Sequence, residues 1–162
     1  MHRTSVGPIF YSNVLAYDPF GLHLRGILPR KTITTLRQMP EQDWTLIPYT
    51  AIVYALFPNT IFVIQGDHVE VWPYPLGDAV DECVMDVSLY TPEPATTEKA
   101  LRHWDANWDL LLRTVNEEDF PISEGMQRGF LSGAQEYLTY GRNEPALIHY
   151  HRSLRQALAL AA

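Results

Sequence analysis

The 162-residue chain has one cysteine, Cys83. A lone thiol excludes an internal disulfide, a thiolate zinc site and a cysteine-ligated iron–sulfur cluster within these residues. Clustered positive charge is also missing. Lys and Arg number 12 against 19 Asp and Glu, giving a formal net charge of −7. That balance argues against nucleic acid as a partner, and equally against an anionic membrane surface. No run of 18 apolar residues exists, and "MHRTSVGPIF" lacks the apolar core of a signal peptide, so a cytoplasmic location is expected. A glycine-rich phosphate loop is absent, and no Ser-His-Asp or Cys-His arrangement can be assembled from the spacing. Internal repeats and low-complexity linkers are absent too.

What is present suits one globular domain of ordinary size. Apolar residues make up 46% of the chain, including nine Tyr, six Phe and four Trp, which argues against disorder. Residues 9 to 91 read as strands. "IVYALF" (52–57) and "IFVIQ" (61–65) are β-branched and aromatic, with Pro58-Asn59 between them. "VEVWPY" (69–74) follows a Gly66-Asp67 turn signal, which predicts a hairpin. "CVMDVSLY" (83–90) alternates apolar and polar positions, and "LHLRGIL" (22–28) does so more weakly. The spacing fits an antiparallel meander.

Helical patterning starts after "TPEPATTEKA". Thr97 is the candidate N-cap of a helix running to about Glu118, with Leu101, Trp104, Trp108, Leu111, Leu112 and Val115 on one face. A short helix is expected from Pro121 to Ser132, with Gly133 past its end, and a third from Glu144–Pro145 to the C-terminus. Strands followed by helices indicate an α+β domain, a curved antiparallel sheet with helices on one face and room for a small apolar ligand between.

Glu117, Glu118 and Asp119 fall where Pro121 should end the first helix, since proline disfavours helical geometry at Phe120. Negative charge at a helix C-terminus is opposed by the helix dipole. If the helix reaches Asp119, that carboxylate lies in the arc of the two tryptophans, Glu118 on its border, and Glu117 points away. A buried lone carboxylate must be protonated, hydrogen-bonded or bound to a cation. If the helix frays earlier, all three acids are solvated. The histidines are not decisive by themselves. His149 and His151 are two apart in a helix and cannot share a face, His103 is expected near solvent, His23 falls in a strand, and His68 in a turn. His2 stands apart at the start.

Read together, "MHRTSVGPIFYSNVLAYDPFGLHLRGILPRKTI", "NTIFVIQGDHVEVW" and "NEEDFPISEGMQRGFLSGAQEYLTYGRNEPALIHYHRSL" resemble the catalytic domain of the large (alpha) subunit of Rieske-type aromatic-ring-hydroxylating oxygenases. The resemblance covers essentially the whole chain and is strongest from Trp104 to Leu154. An acid pair, then E-x-x-Q-R-G, then G-R-x-E-P-A-L is a specific combination. The resemblance implies a helix-grip fold (the SRPBCC class), with an antiparallel sheet packed against C-terminal helices around a mononuclear non-haem Fe(II). Two histidines and a carboxylate hold the iron in such a facial triad. Asp119 matches the carboxylate ligand, and His2, followed by Arg3 and Thr4, matches the second histidine. The first histidine has no counterpart in these residues. Val115 would line the pocket; Glu118, Gln127 and Arg128 would support the ligands or meet a neighbouring subunit.

The resemblance further implies an apolar or aromatic substrate, dioxygen, trimers with or without a beta subunit, and a reductase or ferredoxin. The family's two-iron two-sulfur cluster needs two Cys and two His, which one cysteine cannot supply. The expectation is an N-terminally truncated catalytic domain over residues 1–162, without its Rieske domain, arising as a fragment, a truncated reading frame or a split-gene product. Such a chain would not be catalytically competent alone. Two other classes stay open: a non-enzymatic helix-grip module holding an apolar small molecule, and an interaction protein using its acid-rich helix faces.

Overall fold

Each strand of the sheet hydrogen-bonds to the next one along the chain. In a computed structural model that describes residues 2–11 and 15–159, β1 (Ala16–Phe20), β2 (His23–Pro29), β3 (Thr50–Leu56), β4 (Thr60–Ile64), β5 (Val69–Pro73) and β6 (Ser88–Tyr90) form one antiparallel sheet in sequence order. The β-branched runs meet each other: Ile52 pairs with Ile64, Val53 with Val63, and Val63 in turn with Glu70. Side chains alternate between faces, so Leu24, Gly26, Val53, Val63 and Glu70 share one face. Asp18 pairs with Arg25, whose Nη2 lies 2.8 Å from Asp18 Oδ2, and this ion pair holds the register of the first hairpin. The β4–β5 hairpin turns at Gly66, whose φ of +101° side chains rarely adopt.

Two stretches of the expected strand half are built differently. Residues 31–49 form three short 3-10 turns, Lys31–Gln38, Glu41–Asp43 and Ile47–Tyr49. Thr34 and Thr35 hydroxyls donate to the carbonyls of Lys31 and Thr32, at 3.1 and 2.7 Å, and so offer the backbone an alternative to a ladder. Of "CVMDVSLY", Ser88–Tyr90 alone is strand, and Cys83 makes an isolated bridge to Leu76. The facing segment explains this. The N–H groups of Asp86 and Val84 donate to the carbonyls of Pro73 and Pro75, but those prolines have no N–H to return, and the ladder stops.

The chain divides into two units, one of residues 1–9 with 93–139 and one of residues 10–92 with 140–162. The second unit holds the sheet and α3 (Pro145–Ala157), which packs on β1 and β2. His149 Nε2 donates to the carbonyl of His23 at 3.0 Å, and its ring meets the edge of Tyr17. Tyr150 donates to the Pro58 carbonyl at 2.8 Å. Both contacts give these side chains packing roles. The last three residues lie outside the described ones.

The first unit is mainly one long helical run. Thr97 caps α1 (Glu98–Thr114), accepting from the Ala100 N–H at 3.2 Å. Leu111 and Val115 are buried and Trp104 and Trp108 half-buried, while Leu101 is 49% exposed, so the apolar stripe begins one turn later than expected. After α1 the helix does not end. A π turn over Val115–Asp119 leads into α2 (Phe120–Leu131), which closes with Gly133 at φ +66°. Glycine exchange should separate the two backbone regimes. Gly66→Ala, strained at its positive φ, is expected to cost about 1–3 kcal/mol. Gly129→Ala, in helical backbone with open space around a new Cβ, is expected to stabilise by roughly 0.5–1 kcal/mol. Urea unfolding midpoints check both signs.

Candidate metal centre

Pro121 carries no N–H, so a regular α-helix through it leaves a carbonyl one turn back without a donor and crowds that carbonyl with the ring. The chain meets this with a wider turn. Phe120 N–H donates five residues back, to Val115 O, and Phe120 itself keeps helical dihedrals. The expected C-terminus near Glu118 therefore does not form, and the acids sit inside a helix, in the kind of π insertion that recurs at functional sites. Their exposures divide as the helical wheel suggests. Glu117 is exposed, whereas Glu118 and Asp119 are half-buried.

His2 lies against these two carboxylates, within the same unit. Its backbone N–H donates to Glu118 Oε2 at 2.5 Å. Its Nδ1 lies 2.8 Å from the same oxygen, off the line a hydrogen bond needs, and its Nε2 lies 3.5 Å from Asp119 Oδ1. Gly7 makes the approach possible. Its N–H donates to the His2 carbonyl at 2.7 Å, and a Cβ there would collide with that same carbonyl. His2 adopts a left-handed φ of 59°, a conformation uncommon outside glycine. Burial pushes the Asp119 carboxyl above its ordinary value; His2 opposes this and Glu118 adds to it. The approach of the Ser5 hydroxyl, against desolvation and with help from His2, holds Glu118 below the usual carboxylate range.

Asp119 and Glu118 therefore have different tasks. Glu118 is satisfied by the protein and fixes His2. Asp119 is raised, half-buried and short of partners. Two donors on one first-row ion, with bonds of about 2.0–2.2 Å, stand roughly 3.0–3.5 Å apart, and the Nε2–Oδ1 spacing matches that. A carboxylate beside the other ring nitrogen is the usual way a ligating histidine is oriented. The two residues fit a metal, with one donor short of a triad: among the described residues no group of three His, Cys, Asp or Glu is arranged to hold an ion. Val115 is buried one turn before Asp119. Gln127 is half-buried, and the exposed Arg128 lies 3.8 Å from Glu124.

A second polar group went unnoticed in the sequence. His68, assigned to a turn, is 7% exposed, and Glu70 is 4% exposed. His68 Nδ1 meets Asp67 Oδ1 at 2.7 Å and its Nε2 meets Glu70 Oε1 at 3.2 Å. Gln65 Nε2 donates to Glu70 Oε1 at 3.3 Å, and Arg30 Nη2 donates at 2.7 Å to both the Gln65 carbonyl and Gln65 Oε1. The signal was in "HVEVW": alternation that puts Val69 and Val71 together also puts Glu70 on the face of Trp72, so a charged residue shares a face with a large aromatic one.

An antiparallel meander with a C-terminal helix, and helices carrying an acid pair, defines an α+β chain of the helix-grip class. The family model of the ring hydroxylating alpha subunit (catalytic domain) matches residues 17–160, and the chain belongs to that family. Asp119 is inside the matched span, and His2 precedes it. No curated protein and no solved structure matches the chain. No helix among the described residues is long and apolar enough to cross a membrane.

The buried histidine has a pH signature. Burial alone pulls the His68 imidazole down, but Glu70 and Asp67 together outweigh it and raise its pKa above the ordinary value. Its stabilising contribution is complete below the unfolded value of about 6.5 and is lost as pH rises through the higher folded one. Melting temperature is expected to decline as pH is raised above about 6.5, and His68→Gln is expected to flatten that decline. An unchanged slope in the variant would refute the assignment.

Proposed function

We propose that this chain is the C-terminal part of the catalytic domain of a non-haem iron ring-hydroxylating oxygenase acting on an aromatic or other apolar small molecule. The observation that carries the reading is the approach of His2 Nε2 to Asp119 Oδ1 at 3.5 Å, in a chain of this family. Asp119 and His2 would supply two ligands of a mononuclear Fe(II). Iron in such a site supplies the activation of dioxygen, which protein side chains cannot. The residues of this chain do the rest. Asp119 contributes the charge that favours a cation. Glu118 holds the His2 backbone in place and lies beside its ring. The apolar turn at Leu111 and Val115 excludes water behind the acid pair.

The third ligand and the electrons must come from outside the groups found here. The family's two-iron two-sulfur cluster needs two cysteines, and this sequence has one. Residues 1–162 are thus proposed as a partial catalytic domain that lacks the Rieske domain and is not competent alone. The partners proposed with it are a ferredoxin or reductase and a trimeric assembly with or without a beta subunit.

Metal binding tests the centre directly. In an anaerobic Fe(II) titration the chain is expected to bind weakly, and Asp119→Ala to bind at least tenfold more weakly still. Glu117→Ala, changed at the exposed acid, is expected to match the parent. Equal affinities for parent and Asp119→Ala would remove Asp119 from the metal. Such parity would favour the same fold holding an apolar molecule without catalysis.

Turnover gives a separate check. Supplied with iron, an electron donor and an aromatic substrate, the isolated chain is expected to form no hydroxylated product. Oxygen-dependent product would require a ligand and an electron route that these residues do not provide.

A further inference from the structure

Two buried polar atoms on the sheet have no hydrogen-bond partner among the described residues, and they are chemically complementary. Glu70 is 4% exposed; its Oε1 is met by His68 and Gln65, while its Oε2 is buried and unpaired. Trp72 Nε1, a donor, is likewise buried and unpaired. The β4–β5 register runs unbroken from Thr60–Pro73 to Ile64–Val69, so residues 70 and 72 of β5 point to the same face. Toward β3 that face is apolar. Val63 pairs with Glu70 and Ile61 with Trp72, and Val53 and Ala55 follow on β3. A buried polar group left unpaired costs roughly 1–3 kcal/mol, and here an acceptor and a donor go unpaired two residues apart on one face of the same strand.

The charge on Glu70 is already answered. His68, with its raised pKa, stands at Oε1, and the Arg30 guanidinium is tied into the same group through Gln65. A cation at Oε2 would meet this positive surround, so the missing partner is a neutral donor. An indole N–H asks for an acceptor. One functional group is both: a hydroxyl donates through its hydrogen and accepts through its oxygen.

We propose that Glu70 Oε2 and Trp72 Nε1 form a hydroxyl-binding subsite on this apolar sheet face, which selects ligands of the phenol or alcohol class over plain hydrocarbons. The subsite deepens the oxygenase reading and rests on its apolar ligand: the ring lies on Val53, Ala55, Ile61 and Val63, and its hydroxyl is held at β5. Glu70 and Trp72 are specificity-determining residues, and neither is a metal ligand.

The test is equilibrium binding to the full chain by calorimetry, using p-cresol and toluene, which differ by one hydroxyl. The parent is expected to bind p-cresol at least tenfold more tightly than toluene. Glu70→Leu and Trp72→Phe should each reduce that preference to less than threefold, while affinity for toluene is kept. Glu70→Gln, which retains an oxygen acceptor, should keep part of it. Circular dichroism melts establish that each variant is folded, and the conservative Trp72→Phe and Glu70→Gln carry the test if Glu70→Leu is not. Equal binding of both ligands by the parent would overturn the subsite and leave the apolar site standing, with an internal water on Oε2. Failure of both ligands to bind would overturn the subsite together with the apolar small-molecule reading beneath it. A preference that survives in both Trp72→Phe and Glu70→Leu would also overturn it.

Discussion

Pro121 has no hydrogen to give. From that one missing donor follow the π turn at Val115–Asp119, the continuity of the helix on either side, and the placement of three acids within it. A helix that ended at the proline would expose its last carbonyls beside three carboxylates, with the dipole set against them. Continuing the helix removes that conflict, since the orphan carbonyls are absorbed by bonds to the next turn. Widening the turn is the local cost, and it leaves Asp119 half-buried one turn beyond the buried Val115. His2 is then held by Glu118 through its backbone N–H, so the geometry of the pair depends on the helix passing through the proline.

Sequence patterning read the sheet well where hydrogen-bond donors were plentiful and badly where they were not. β3, β4 and β5 followed from β-branched runs and the Gly66 turn, and α1 and α3 from Thr97 and Glu144–Pro145. Failures cluster at proline and threonine. Pro73 and Pro75 silenced the ladder opposite 83–87, and Thr34 and Thr35 bonded their own backbone across the first of the 3-10 turns. Periodicity counts side chains and does not count missing N–H groups, so such losses are invisible to it. The false helix end at Glu118 has the opposite origin: Pro121 is a stop signal in the sequence, and the wider turn over Val115–Asp119 carries the helix through it. At the candidate centre, the division between Glu117 and its two neighbours was legible from the wheel. The contact of His2 was not, because it joins residues 116 positions apart through a turn that Gly7 permits.

Charge balance distinguishes the two polar centres. Around His68 the carboxylates of Asp67 and Glu70 face a histidine with a raised pKa and the Arg30 guanidinium, so the protein neutralises its own charge there. What is left over at Glu70 is a lone pair, and a neutral donor suffices. Around His2 two carboxylates face one imidazole, and the surplus is negative. Glu118 is relieved by Ser5 and His2, and the imbalance therefore falls on Asp119, which burial and Glu118 both push upward. A carboxylate in that state takes up either a proton or a cation. A proton on Asp119 would be donated to His2 Nε2, whereas in the proposed centre a divalent ion takes that place between Nε2 and Oδ1. The same elementary rule, that buried charge must be matched, underlies both proposals, a neutral hydroxyl at one centre and a metal at the other.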